Sequence, residues 1–305
     1  MNKPFKTIEE QIEILNNRGV KTDKSTANIL LREGYYSVVN GYKGLFVFCV
    51  DEKGDEEYRH GTTFKEIYRL FSFDRTLRMI LFKYIAIAES FLKTTTAYKF
   101  SEMHQGRHYD YLELNSYRDD GRYPELAQLL IDEIETILGM NPEKKPPKTK
   151  LYIKHYLQNY NEVPIWVLMN YLTLGQAIRF FDFQKDTIRY AIADTFTKLY
   201  LQERWGELTI KPKKLKQVFD HIKDIRNICA HDERLYCARV SPRNDTTLAH
   251  VIFDLDLVLP WEDSQNLRSE IINEVFSCSQ DIKTVSMPML LKQMGLKSIE
   301  DLFLQ

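Results

Sequence analysis

Hydrophobic positions recur at helical spacing along most of the chain. Residues 5–18 place Ile8, Ile12, Ile14 and Leu15 at roughly helical intervals and close on Arg18-Gly19, a helix-ending pair. A short helix follows at about 23–33 through Ala27, Leu30 and Leu31, broken by Gly34-Tyr35-Tyr36. Residues 45–50 are β-prone, Asp51-Glu52-Lys53-Gly54 reads as a turn, and a return strand runs through Tyr58, so one small hairpin is expected. The longest helical pattern covers 64–100. Leu77, Leu81, Tyr84, Ala88, Leu92 and Thr95 make one stripe there, with Phe91 beside it. Asp74, Arg78 and Glu89 project within about 60° of one another along the stripe's edge. Charges so placed either pair with a neighbouring element or face a cleft.

The pattern continues with a helix at 124–139. The segment Asn141 to Lys150, with three prolines and four lysines, reads as an exposed loop. Pro164-Ile165-Trp166 opens an apolar helix expected to run to Gly175, and another covers about 184–203. Pro212 suits the first turn of the next helix, whose apolar stripe is Leu215, Val218, Phe219, Ile222, Ile225 and Cys229. Phe253-Asp254-Leu255-Asp256-Leu257-Val258-Leu259 alternates like a strand or extended segment. Helices are expected at about 262–283, 287–294 and 298–303. The fold class is therefore all-α, mainly helical, with a small β-hairpin. Residues 1–62 are expected to pack as N-terminal helices and hairpin on a helical core of 63–240, followed by an extended segment and helices over 241–305.

Composition supports a sizeable core: 305 residues, 44% hydrophobic, with 18 Tyr and 17 Phe. Only 12 Gly and 10 Pro argue against a loop-rich sandwich. A net charge of −1 excludes nucleic-acid binding by bulk charge, so any such site is a local patch. The basic runs are Lys211, Lys213, Lys214 and Lys216, and Lys144 to Lys150; each is an RNA-backbone contact or a solvated face. Four scattered cysteines and no apolar leader read as a cytoplasmic chain with free thiols. No apolar run approaches the ~18 residues that cross a bilayer, so no membrane partner is expected.

The chemistry concentrates in Arg226-Asn227-Ile228-Cys229-Ala230-His231, followed by Asp232-Glu233-Arg234-Leu235. Arg226 falls inside the apolar stripe. A guanidinium there needs a carboxylate, a phosphate or a protein partner; Asp74 and Glu89 are the carboxylates on offer. Arginine grips phosphate through a planar, permanently charged fork. Histidine moves protons near neutral pH. Together they suffice to cut RNA without a metal, the 2′-hydroxyl acting as nucleophile. The plainer reading of His231 is a helix C-terminal residue favourable to the macrodipole. On an ideal helix His231 lies about 140° from Arg226. The two converge only if the helix ends or bends there, or if a second subunit completes the site. Asn227 can orient phosphate or imidazole, Asp232 can raise the histidine's pKa or cap the helix, and Arg234 can hold RNA backbone or lie solvated. Cys229, His231 and Cys237, with His221 upstream, lack the C-x2-C spacing of structural zinc sites, so no metal and no cofactor are expected.

The ordered set of residues resembles the Abi-like (abortive-infection, AbiD/AbiF-type) bacterial proteins, a branch of the HEPN superfamily. The resemblance runs through Gln11…Leu15…Arg18-Gly19, Leu30…Gly34-Tyr35-Tyr36, Gly41-Tyr42 and Gly61-Thr62-Thr63-Phe64. It continues with Phe73-Asp74…Leu77-Arg78, Pro164-Ile165-Trp166…Leu174-Gly175, and Ile225 through His231 to Arg234-Leu235. It implies a HEPN-type helical bundle with extra terminal helices, and an R-x4-H ribonuclease site usually shared across a homodimer. That motif maps to Arg226 and His231, with Asn227 as the polar residue after the arginine. The implied activity is metal-independent endoribonuclease action in phage defence, of the toxin-antitoxin kind, leaving 2′,3′-cyclic phosphate and 5′-hydroxyl ends. The alternative is a catalytically silent module that holds, or is held by, a regulatory RNA. A metal nuclease or zinc-stabilised protein is the third reading, which a chelator would expose.

Overall fold

The computed structural model describes residues 4–303 apart from 53, 106–108, 142–150, 205, 242 and 244. Lys144 to Lys150, and all of the expected loop except Asn141, lie outside the described residues.

Thr7 starts helix α1 (Ile8–Asn17): its hydroxyl accepts the Glu10 amide, and the Glu10 carboxylate accepts the Thr7 amide. Helix α2 (Thr26–Glu33) stops at Gly34, whose φ of 83° a side-chain-bearing residue rarely adopts, and a π-helical turn, Tyr36–Asn40, follows. Strands β1 (Val47–Val50) and β2 (Glu56–Tyr58) pair antiparallel as expected, with an irregularity between Val47 and Cys49. Helix α3 (Phe64–Met103) carries the predicted stripe, and Leu77, Leu81, Tyr84, Ala88 and Leu92 are all fully buried. Then come α4 (Tyr123–Leu138), α5 (Leu151–Tyr160), α6 (Ile165–Leu168), α7 (Leu174–Phe183), α8 (Asp186–Glu203) and α9 (Pro212–Ala230). A second two-stranded pair, β3 (Arg239–Val240) with β4 (Thr246–Thr247), precedes α10 (Leu248–Asp256), α11 (Trp261–Asp281) and α12 (Met287–Met294). A 3-10 turn spans Ile299–Leu302.

The chain forms two compact units that do not follow sequence order. The first gathers Met1–Phe82, Ile225–Ile252 and Gln265–Gln305; the second gathers Lys83–Asp224 and Phe253–Ser264. In the first, Arg69 of α3 reaches Glu274 and Asp281 of α11, both at 2.9 Å. Glu66 accepts the Lys283 and Thr284 amides just beyond that helix. In the second, α4 packs on α7, where Glu133 receives Arg179 at 2.6 Å. Phe196 is the hub of that core, its ring centroid 4.4 Å from that of Phe91 and 5.8 Å from that of Phe219.

Two expectations are overturned. Residues 253–259 form no strand; α10 runs through Asp256. The alternation misled because Asp254 and Asp256 are themselves buried, Asp254 on His221 and Lys214 and Asp256 on Ser264. The true stripe, Leu248, Val251, Ile252 and Leu255, has helical spacing and starts earlier. The helix opening at Pro164 does not reach Gly175. It gives way to a 3-10 turn at Met169–Tyr171, and Thr173 begins α7 with its hydroxyl on the Gln176 amide and the Gln176 side chain on its own amide. Helix α5 and the β3–β4 pair were not anticipated; both are short, and neither has a distinctive period.

Candidate functional site

Helix α9 ends at Ala230, directly before His231, whose amide still donates to the Asn227 carbonyl at 3.0 Å. Asp232 then turns left-handed, with φ at 56°, and the Glu233 amide reaches back to the Ile228 carbonyl at 3.1 Å. This is a Schellman closure with aspartate where glycine is usual. It leaves Asn227 and His231 exposed at the helix end. The helix therefore ends after the arginine, directly before the histidine.

What holds the turn is a buried polar clamp on α3. Asp74, with no exposed surface, accepts the Tyr42 hydroxyl at 2.6 Å, the Tyr236 amide at 2.6 Å and the Leu235 amide at 3.1 Å. Arg78 Nη1 donates to Asp74 at 2.6 Å and to the Glu233 carbonyl at 3.0 Å, while its Nη2 donates to the Asp232 carboxylate. Asp74 and Arg78 therefore form more than an i,i+4 surface pair: both are buried, and among the described residues their other hydrogen-bond partners, apart from Tyr42, lie in the turn after His231. Burial pushes the Asp74 carboxyl above its ordinary value, against Tyr42, the two amides and Arg78, which favour the ionised form. Tyr42 also stacks on Tyr236 with ring centroids 6.0 Å apart, and burial raises its phenol, so it stays a donor. Gly41-Tyr42 is among the residues that carry the family resemblance, but only the fold brings Tyr42 to Asp74.

Arg226 has the opposite character. Neither Asp74 nor Glu89 pairs with it: Asp74 is taken by Arg78, and Glu89 holds Lys93 at 2.6 Å in the second unit. The expected ion pair is therefore absent among the described residues. Among the described residues, Arg226 Nε is buried without any hydrogen-bond partner. The guanidinium carbon lies 5.8 Å from the ring centroid of Phe82, itself 43% exposed. A half-buried guanidinium with an orphaned donor has room for an acceptor that the described residues do not supply.

The remaining expected residues separate. Arg234 donates to the Gly41 carbonyl at 2.9 Å, which pins the turn to the segment before β1. Lys214 is paired with Asp254 and Lys216 with Asp220, whereas Lys211 and Lys213 are exposed and take no carboxylate among the described residues. Lys211 precedes α9 and the other three lie in its first turns, whereas the motif falls at its C-terminal end. Burial pushes the Cys229 thiol up to about 12, so it stays protonated and packs as a small hydrophobe. His221 places Nδ1 2.7 Å from Asp254. Among the described residues no group of three or more His, Cys, Asp and Glu is arranged to hold a metal ion, and no helix is long and apolar enough to cross a membrane.

Asp232 offers a direct check on the turn. Asp232→Gly relieves left-handed strain of about 1 kcal/mol and removes an ion pair whose carboxylate is 68% exposed and so contributes at most about 1 kcal/mol. The expected outcome is a stability change under about 1 kcal/mol in urea unfolding. A loss near 3 kcal/mol would mean that the Arg78–Asp232 contact, not Asp74, anchors the turn.

A family model described as Abi-like protein matches residues 28–237. No curated protein and no solved structure matches the chain. The matched span contains Tyr42, Asp74, Arg78 and the whole motif from Arg226 to Tyr236, and the chain belongs to the Abi-like family.

Proposed function

We propose that this protein is a metal-independent endoribonuclease of the HEPN type, acting in abortive-infection defence against phage. The observation that carries the reading is the unpartnered, half-buried Arg226 beside a clamped helix end that exposes Asn227 and His231. In this mechanism Arg226 grips the scissile phosphate, its fork matching two non-bridging oxygens. The substrate's 2′-hydroxyl attacks the phosphorus in line, the P–O5′ bond breaks, and a 2′,3′-cyclic phosphate and a 5′-hydroxyl result. His231 moves a proton, either from the attacking 2′-hydroxyl or to the departing 5′-oxygen. Asn227 orients the phosphate or the imidazole. A second copy of the chain supplies the second histidine–arginine set, so that one His231 acts as base and the other as acid. Arg234 holds flanking backbone, and Lys211 and Lys213 are backbone contacts of the second unit. Asp74, Arg78, Tyr42 and Asp232 touch no substrate; they position the turn that carries His231.

The test is cleavage of end-labelled total bacterial RNA and tRNA by purified protein in EDTA, beside His231→Ala. The expected result is cleavage by the parent alone, with cyclic-phosphate ends. Intact RNA that stays bound in a salt-sensitive way would overturn the nuclease reading in favour of an RNA-holding module. Because His231 is exposed, its truncation is expected to leave stability within about 0.5 kcal/mol of the parent.

A further inference from the structure

The second unit contains a cleft of about 640 Å³ that the proposed chemistry does not use. One wall is a strip of α3 running from Ala86 through Ser90, Thr94 and Ala97 to Ser101, at spacings of three and four that keep these small side chains on one face. The other wall is Trp166, Met169 and Asn170, from α6 and the turn after it. Two aromatic rings at the cleft stand out in solvent, Trp166 at 58% and Tyr98 at 64% exposure. A second chamber of about 320 Å³ shares Ser101 and Trp166.

The lining chemistry narrows the occupant. Among the described residues the cleft's one cation, Lys93, is already held by Glu89 at 2.6 Å and by the Leu172 carbonyl at 2.6 Å. A phosphate would find no uncommitted positive charge among those residues. A purely apolar ligand would leave the hydroxyls of Ser90, Thr94 and Ser101 and the Asn170 Oδ1 without exchange for water, the Asn170 Nδ2 already donating to the Trp166 carbonyl at 3.0 Å. Ser101 Oγ is already buried with no hydrogen-bond partner, at the junction of the two chambers. The fitting ligand is flat, neutral, aromatic on its faces and rich in donors and acceptors at its edge. Those are the properties by which proteins bind unpaired bases: stacking on exposed aromatics and hydrogen bonding at the edge.

We infer that the cleft between α3 and Trp166–Asn170 binds a nucleobase, either of a free nucleoside or nucleotide or of a single-stranded RNA. This does not depend on the cleavage reading: a protein that cuts nothing would still bind here, and a nuclease lacking this site would still cut. The base stacks on Trp166 and takes hydrogen bonds from Ser and Asn side chains on the facing walls.

The test uses the full chain carrying His231→Ala, so that RNA substrates survive. Calorimetric titration with the four uncharged nucleosides and with short oligoribonucleotides is compared with the same titrations of Trp166→Ala and Trp166→Phe. The expected result is nucleoside binding that hardly changes with salt, weakened about tenfold or more by Trp166→Ala and kept by Trp166→Phe. A trinucleotide that binds more tightly than its nucleoside identifies a strand as the source. A nucleoside that binds while the trinucleotide is excluded identifies a free nucleoside or nucleotide. Binding of oligomers alone, lost steeply with salt, would overturn the proposal in favour of backbone contacts elsewhere. No nucleoside binding, or binding indifferent to Trp166→Ala, would overturn it as well. Trp166 is exposed, so thermal unfolding of the variants is expected to match the parent.

Discussion

Arg226→Ala is expected to lower RNA cleavage by about 10²–10³-fold, the usual consequence of deleting one preorganised donor to a developing oxyanion, while leaving the protein at least as stable as before. The two halves of this expectation come from the same observation. A buried Nε without a partner is a group whose desolvation is not offset, a deficit of about 1–3 kcal/mol. Removing it therefore removes that deficit and loses stem packing and the exposed contact with the Phe82 ring. Arg226→Met separates the terms best: it keeps the stem in the apolar stripe beside Ile225 and Ile222 and deletes only the polar head. It is expected to be inactive and more stable than the parent by about 1 kcal/mol in urea unfolding. Arg226→Lys keeps charge but not the fork and is expected to fall between parent and alanine in rate. If Arg226→Met instead destabilises the protein by several kcal/mol, the arginine is a structural residue and the proposed site loses its phosphate grip.

The signal for this site lay partly in the sequence and partly only in the fold. Arg226 stood out because its position on the 3.6-residue period conflicts with its charge, and such conflicts gather at functional sites. The helix stop before His231 was open in the sequence: Asp232 is a weak substitute for the usual glycine, so nothing local forced the chain to leave the helix there. What forces it is Asp74, more than 150 positions earlier in the chain, whose carboxylate takes the Leu235 and Tyr236 amides. Long-range hydrogen bonds of this kind leave no period to read. The same reason explains α10: the buried partners of Asp254 and Asp256 made a helix look like an alternating strand. Helices with a wide apolar stripe, α3 and α9 above all, were legible because one periodicity fixed both their existence and their buried face.

Asp74→Ala is expected to be the most destabilising single change near the site, by about 3–5 kcal/mol in urea unfolding. The variant strands Arg78, only 4% exposed, without its one buried carboxylate among the described residues, and orphans the Tyr42 hydroxyl and two turn amides. Asp232 does not compensate, since its carboxylate is mostly in water. If the loss comes from the stranded charge, deleting that charge restores part of it: Asp74→Ala/Arg78→Met is expected to be more stable than Asp74→Ala alone. A double variant no better than the single one would place the loss in the turn amides instead. Asp74→Asn keeps the shape and one accepting oxygen, so a folded sample is obtainable, and it isolates the link to function. Its turn is held less firmly, so cleavage is expected to fall while RNA affinity, set by Arg226 and the flanking basic residues, stays near the parent value. Equal falls in rate and affinity would mean that the clamp shapes the RNA surface rather than the placement of His231. An unchanged rate in a destabilised Asp74→Asn would show that the imidazole reaches its working position without the turn, and that the clamp serves folding alone.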